Sequence, residues 1–434
     1  VKNIVSIEKI DDFSKEQPTT SVTSRVSLDF NEQQWVQTIK DYSAIFRKYP
    51  KINNSNVYSR ISSVQKYFLN SEGFKYRQPQ TIVGLVVVAS TQAPDGMQLR
   101  DFISFYAKSL QEFPTAREVT SAIEKLATDL SQALEARVLN FYTGPVLLTG
   151  QASAEFFRQM LGKNLSGTRP PMVDNKQWER MLQETEFKNK LKMKVLPDFI
   201  SVTDNPLRTS YNKKLLIGSY TVDDEGVPAQ EVRLVENGVL KNFLMSRVPR
   251  KEFSNSNGHG RAPISSGAEA KMGNLFVLSS KTKSYDELKR QLLDMCKQQD
   301  KEYGIIVKVL DNPALTGESR GFSPYSWMTD PSAPKLTAPL LVYKVYVKDG
   351  REELVRGVEF GDITVRSLKD IIATGNDYYV HNFMNMAGSG YPAAVTFLPT
   401  SIVAPSILIE EMDLKKVSGE QQKPPLLAHP FFAE

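Results

Sequence analysis

Apolar residues in NEQQWVQTIKDYSAIFRKY recur three and four positions apart, which predicts a helix in residues 31–49. NSNVYSRISSVQKYFLNSEG and TIVGLVVVAST are rich in β-branched and aromatic residues and bounded by Asn, Ser and Gly, so both read as strands. GMQLRDFISFYAKS reads as a third. TAREVTSAIEKLATDLSQALEAR is a long amphipathic helix with Pro114 just ahead of it. A strand in ARVLNFYTGPVLLTG then feeds GQASAEFFRQMLGKNLSG, residues 150–167, read as a helix with Phe156, Phe157, Met160 and Leu161 as packing residues. Its Glu155, Arg158 and Gln159 form an i, i+3, i+4 set of the kind found on ordinary helix faces.

Strands dominate the remainder. Asn237-Gly238 supplies the positive φ angles of a two-residue turn between the alternating EVRLV and VLKNFLM segments. Asp349-Gly350 reads as the same design. SYDELKRQLLDMCKQQ opens with a capping box, Ser284 with Glu287 three positions on. TVRSLKDIIATG reads as a helix stopped by Gly375. TRPPMVDNKQ and the stretch from Asp311 to Pro339 read as loops, and the last residues, from Ser418, as peripheral. The expected fold class is α+β: a partial N-terminal α/β domain over residues 1–140, then a strand-rich domain over 141–434 with mixed or antiparallel sheets.

Composition adds mainly exclusions. A chain of 434 residues, 41% apolar and 24% charged, can bury a sizeable core, and its length allows roughly three domains. A net charge of +5 without clustering gives no nucleic-acid signature. The densest basic run, KNKLKMK at 188–194, reads as a solvated face beside buried Leu191 and Met193. No apolar run approaches the ~20 residues that span a bilayer, so no membrane contact is expected. No leader is visible, but the chain opens at Val1 rather than at a methionine, so that absence is weak evidence. The compartment stays open: the bacterial cytoplasm, or the periplasm if a leader has been removed.

Candidate chemistry is sparse. The single cysteine, Cys296, excludes an internal disulfide and reads as structural. Of three histidines, His259 in SNSNGHGRAP sits in a polar, flexible-looking loop and is the best functional candidate, against a plain solvated loop histidine. His381 follows an apolar stretch and reads as a core or hydrogen-bonded histidine; His429 lies in the tail. Asp223, Asp224 and Glu225 form an acidic cluster that reads either as a cation site or as a charged turn. No HExxH, GxSxG, GxGxxG or P-loop is present.

Four segments resemble the TldD/PmbA family of peptidase-like proteins, once described as modulators of DNA gyrase. They are VLLTGQASAEFFRQMLGKNLSG; YTVDDEGVPAQEVRLVENGVLKNFLMSR, whose D-x-E-G-x-P-x-Q and E-N-G-x-L are the most specific; SNSNGHGRAP leading to MGNLFV; and GVEFGDITVRSLKDIIATGNDYYV with GSGYPAAVTFLPTSIVAPSILIEEM. In metal-bearing members the helix of the first segment reads H-E-x-x-G-H, a case of H-E-x-x-x-H. Two histidines five positions apart differ by about 140° on a regular helix, so the glycine would let the helix end or distort to bring both to one zinc. A C-terminal cysteine supplies a third ligand and the glutamate a general base. The resemblance lays this motif on Arg158, Gln159, Met160, Leu161, Gly162 and Lys163, and the cysteine near Met386. The glycine is kept and the chemistry is not. The resemblance therefore implies a non-catalytic, zinc-less protein of a proteolysis or peptide-maturation system. It would bind extended peptide by strand addition and act as a homodimer or in a heteromer with a zinc-bearing relative. Two alternatives stand beside it: a hydrolase working through His259 and Asp223–Glu225, and a scaffold unrelated to proteolysis.

Overall fold

The computed structural model describes residues 10–169, 185–262, 267–316, 336–387 and 396–417, with 423 and 425. The N-terminal part is one antiparallel sheet of long strands. β2 (Asn54–Leu69) and β4 (Gln98–Ala107) flank β3 (Lys75–Gln92), and short β1 (Thr20–Val22) runs parallel to the start of β3. Leu85, Val87 and Ala89 of β3 turn one face towards α1 (Glu32–Ala44) and α2 (Ala116–Ala133). α2 presents Val119, Ile123, Leu126 and Leu130, a 3–4 spaced stripe that is fully buried, and Thr115 with Glu118 closes a capping box at its start.

Two larger sheets follow. The nine-stranded sheet contains β5 (Arg137–Val138), β6 (Phe141–Leu148), β15 (Thr282–Lys283), β16 (Tyr303–Leu310), β17 (Pro339–Tyr346), β18 (Glu352–Arg356), β19 (Val358–Phe360), β20 (Ile371–Gly375) and β23 (Ile407–Lys416). The six-stranded sheet has the order β11-β10-β7-β14-β22-β21: β7 (Ile200–Asp204), β10 (Val232–Glu236), β11 (Val239–Leu240), β14 (Asn274–Ser279), β21 (Tyr379–Ala387) and β22 (Thr396–Ala404). Two-stranded β8 (Ser210–Tyr211) with β9 (Lys214–Leu215), and β12 (Gly260–Arg261) with β13 (Glu269–Ala270), complete the fold, which is α+β with mixed sheets.

Strand alternation sorts the layers. Val146 and Leu148 of β6, with Ile305 and Val307 of β16, face inward; Leu147 and Ile306 face outward onto Leu288, Leu292 and Cys296 of α4 (Tyr285–Gln298). Ser284 and Glu287 cap α4 as expected, and Cys296 is buried. Between the two large sheets lies α3 (Gln151–Met160), which is buried on nearly every side. Gln151 exchanges two hydrogen bonds with the Leu310 backbone of β16, and Ser153 donates to the Pro405 carbonyl between β22 and β23.

Several expectations fail for local reasons. Residues 364–375 do not form a helix: a 3-10 turn (Val365–Leu368) gives way to β20, whose β-branched Ile371 and buried Ala373 pair with β23. Asn237 and Gly238 do take φ of 47° and 77° as a two-residue turn, but β11 ends at Leu240. The Asp349-Gly350 hairpin differs in kind. Its loop is four residues long, closed by Tyr346 N–H donating to the Arg351 carbonyl at 3.0 Å, and only Gly350 there has positive φ. Met193 is exposed and Leu191 half-buried, so the basic run covers less apolar surface than expected. TRPPMVDNKQ beyond Arg169, most of the long stretch after Thr316, and His429 lie outside the described residues.

Candidate functional site

The helix that carries the motif positions does not end in open space. Glu155 sits on the first turns of α3 with no exposed surface. Arg158 grips it through Nε, 2.8 Å from both carboxylate oxygens, and through a second nitrogen on Oε1. Gln159 Nε2 donates to the same carboxylate at 2.8 Å, and His381 Nε2 of β21 reaches its other oxygen at 3.2 Å. Burial alone would raise this carboxyl. The Arg158 charge and the hydrogen bonds from His381 and Arg158 outweigh it and hold Glu155 well below the usual carboxylate range. The set is therefore not the ordinary exposed i, i+3, i+4 grouping expected from its spacing; it is a buried ion network whose key partner lies 226 positions away in sequence.

Gln159 extends the network. Its Oε1 accepts the Thr337 backbone N–H at 2.9 Å, its Nε2 donates to Thr337 Oγ1, and that hydroxyl donates to the Asp311 carbonyl. The Arg158 guanidinium also lies 5.4 Å from the Phe383 ring centre. The structure thus joins Arg158 and Gln159 in one cluster with Glu155 and His381. Lys163 is instead exposed on the 3-10 turn (Gly162–Leu165) after α3. Gly162 packs closely there: a Cβ would come 2.8 Å from Met272 Sδ, at the end of a flexible side chain that would have to shift. Met386 lies in β21 opposite Phe397. His381 and Phe383 of β21 meet Glu155 and Arg158 of α3, and Asn385 is the next position in step with them, one residue short of Met386.

The weaker candidates take structural posts. His259 is fully buried, contrary to its polar, flexible-looking surroundings: Nδ1 donates to the Asn257 carbonyl at 2.9 Å and Nε2 meets Asp204 Oδ1 at 3.1 Å. Asp204 also accepts the backbone N–H groups of Gly273 and Asn274, so this pair ties β7 to β14. Asp223 is buried and accepts three backbone N–H groups, from Glu225, Val227 and Gly260. Asp224 pairs with Lys66 at 2.8 Å and accepts the Ala262 N–H; Glu225 accepts the Arg247 N–H. The acidic cluster is neither a solvated charged turn nor a convergent ligand set. Among the described residues no group of three or more His, Cys, Asp or Glu side chains is placed to hold a metal ion, and no helix is long and apolar enough to cross a membrane. A zinc site at the motif positions does not fit the donors present, because Arg158 contributes a cation already paired to Glu155 and Gln159 a neutral amide.

Residues 142–322 match the family described as the PmbA/TldA metallopeptidase C-terminal domain. A metalloprotease of Archaeoglobus fulgidus is 31% identical over 110 residues, 25% of this chain and 24% of that protein. A metalloprotease TldD homolog of Buchnera aphidicola is 32% identical over 105 residues, 24% of this chain and 21% of its own length. The chain thus spans about a quarter of the curated relatives it matches. Among solved structures, a Thermotoga maritima protein named for modulation of a DNA gyrase superposes with a TM-score of 0.62 at 18% identity, covering 94% of this chain and 80% of that one. TldE from Thermococcus kodakarensis gives 0.58 at 15% identity, covering 92% and 79%. These two likenesses establish the fold.

Proposed function

From the membership of this chain in the TldD/PmbA family, carried by residues 142–322, we propose that it is a zinc-less subunit of a proteolysis or peptide-maturation system. It binds extended peptide and works as a homodimer or beside a zinc-bearing relative. The observation that carries this reading is the Glu155–Arg158–Gln159–His381 network. Where metal-bearing relatives are expected to hold an ion between helix and strand, this chain holds a guanidinium between a buried carboxylate and Phe383. A cation fixed there repels a second one, and Gln159 has no basic lone pair to activate water. Strand addition is the binding mode we favour, since main-chain hydrogen bonds accept varied sequences. β2 supports it: this 16-residue strand has β3 on one side and no strand partner on the other among the described residues.

The test combines light scattering with a peptide-cleavage assay, run with and without the metal-bearing relative. The expected result is an oligomer that binds unfolded peptide weakly and cleaves it only in the relative's presence. A strict monomer that cleaves peptide unaided and ignores chelators would remove this reading.

A further inference from the structure

We propose that the cleft between the N-terminal sheet and residues 217–224 binds an oxyanion, a carboxylate or phosphate group, clamped by Lys108 and Arg261. The cleft has a volume of about 190 Å³ and is lined by Lys66, Gln78, Lys108, Ser219, Tyr220 and Arg261 together with Asp223 and Asp224. That is room for more than a single water, whose share of liquid is about 30 Å³.

Of the three cations at its wall, Lys66 is paired with Asp224, whereas Lys108 and Arg261 hydrogen-bond only to neutral groups. Lys108, just beyond β4, donates to the Ser219 carbonyl at 2.7 Å and to the Ser219 hydroxyl. Arg261 of β12 is 5% exposed; it donates to the carbonyls of Met272 and Pro399 at 2.8 and 3.0 Å and lies 4.9 Å from the Tyr220 ring centre. Neither makes an ion pair among the described residues. Burying an ionised group without a counter-charge is costly, and two like charges beside one cavity compound that cost. Burial first, then the Arg261 charge, pushes Lys108 down to about 8, against a weaker opposing pull from the Glu112 carboxylate.

The carboxylates in the same wall do not discharge them. Asp224 is taken by Lys66 and the Ala262 N–H, and Asp223 by three backbone N–H groups. Burial and the neighbouring Glu225 raise the Asp223 carboxyl well above its ordinary value, which further weakens its negative charge. An entering oxyanion would meet the remaining N–H groups of Lys108 and of the guanidinium, and charge-assisted bonds of this kind are roughly twice as strong as neutral ones.

The oxyanion site itself does not depend on the peptide-binding reading; only its use for a peptide terminus does. The full chain is titrated calorimetrically with inorganic phosphate and with one unfolded peptide in two forms, free acid and C-terminal amide. One outcome in support is saturable binding of phosphate at one site per chain, weakened at least tenfold in Lys108→Met and kept in Lys108→Arg; it identifies a free anion as ligand. The other is an acid peptide that binds at least tenfold more tightly than its amide, with the gap closed in Lys108→Met; it identifies a peptide carboxylate. The inference is overturned if the unmodified protein saturates with neither phosphate nor the acid end, whatever the variants do, or if Lys108→Met retains both. Binding of the amide form reports on the peptide-binding reading separately.

Discussion

The α3–β21 cluster and the cleft at Lys108 and Arg261 both bury charge, and they handle it in opposite ways. In the first, Glu155, Arg158, Gln159 and His381 satisfy one another, and Arg158 is the counter-ion of a fully buried carboxylate. In the second, Lys108 and Arg261 line a cavity, donate only to carbonyls and a hydroxyl, and make no ion pair among the described residues. Internal compensation leaves no charge for a ligand to balance; its absence does. The α3–β21 cluster is therefore internally closed, and the cleft is the one proposed to take an anion.

The strongest way to break this contrast is to remove compensation where it exists. Arg158→Met should cost about 3–5 kcal/mol in denaturant unfolding at neutral pH, because it strands a buried carboxylate. The pH dependence follows from the depressed Glu155. Its contribution is fully present above the ordinary carboxylate value near 4.3 and is lost as pH falls towards its lower folded value. The gap between wild type and variant should therefore shrink below about pH 4. A constant gap from pH 7 to pH 3 would show that packing, not charge, links these residues.

Asp101 sharpens the comparison from the other side. It is a buried carboxyl of β4 whose neighbour Arg100 is paired instead with Asp311 at 2.5 Å. Burial pushes it up to about 7, against the Phe102 N–H that it accepts, and Asp129 and Asp311 add to the rise. An acid raised in the folded state favours folding at low pH, and that advantage is lost as pH rises from about 4 to about 7. Asp101→Asn should accordingly leave stability unchanged near pH 4 and raise it by about 2–4 kcal/mol at pH 8. Urea unfolding at the two pH values checks this.

Lys108→Met should stabilise the anion-free protein by about 1–3 kcal/mol at pH 7, by removing a charge that burial disfavours. Because the folded lysine titrates near 8, wild-type stability should gain on the variant as pH rises from about 8 to about 10. The smallest effect is expected at Lys163, which is exposed on the turn after α3. Lys163→His should shift stability by less than about 0.5 kcal/mol and confer no zinc affinity, because one ligand of the three needed does not make a site.

Much of the framework was legible in sequence because the signals were local. The long strands β2 to β4, the amphipathic α2, the Ser284–Glu287 cap and the Asn237-Gly238 turn each depend on residues a few positions apart. In residues 364–375, Gly375 imitates a helix stop. In the fold it ends a strand, where a Cβ would strike Asp377 Oδ1 at 2.0 Å. Around His259, Ser, Asn and Gly suggest a mobile loop, whereas Asn257 pins that loop to the Phe243 carbonyl and the Met245 N–H. The role of Glu155 is hidden in sequence for a different reason. Helix spacing reveals Arg158 and Gln159, but only tertiary structure brings His381 across from β21 and buries the set between two sheets.

The most direct test of the closed centre is zinc titration of the purified protein, with elemental analysis of the same sample and of His381→Ala. The account predicts no stoichiometric zinc and no saturable binding in either protein, because the acid that His381 meets, Glu155, is neutralised by Arg158. About one zinc per chain in the wild type, lost on His381→Ala, would contradict it and restore this helix and strand as a metal centre.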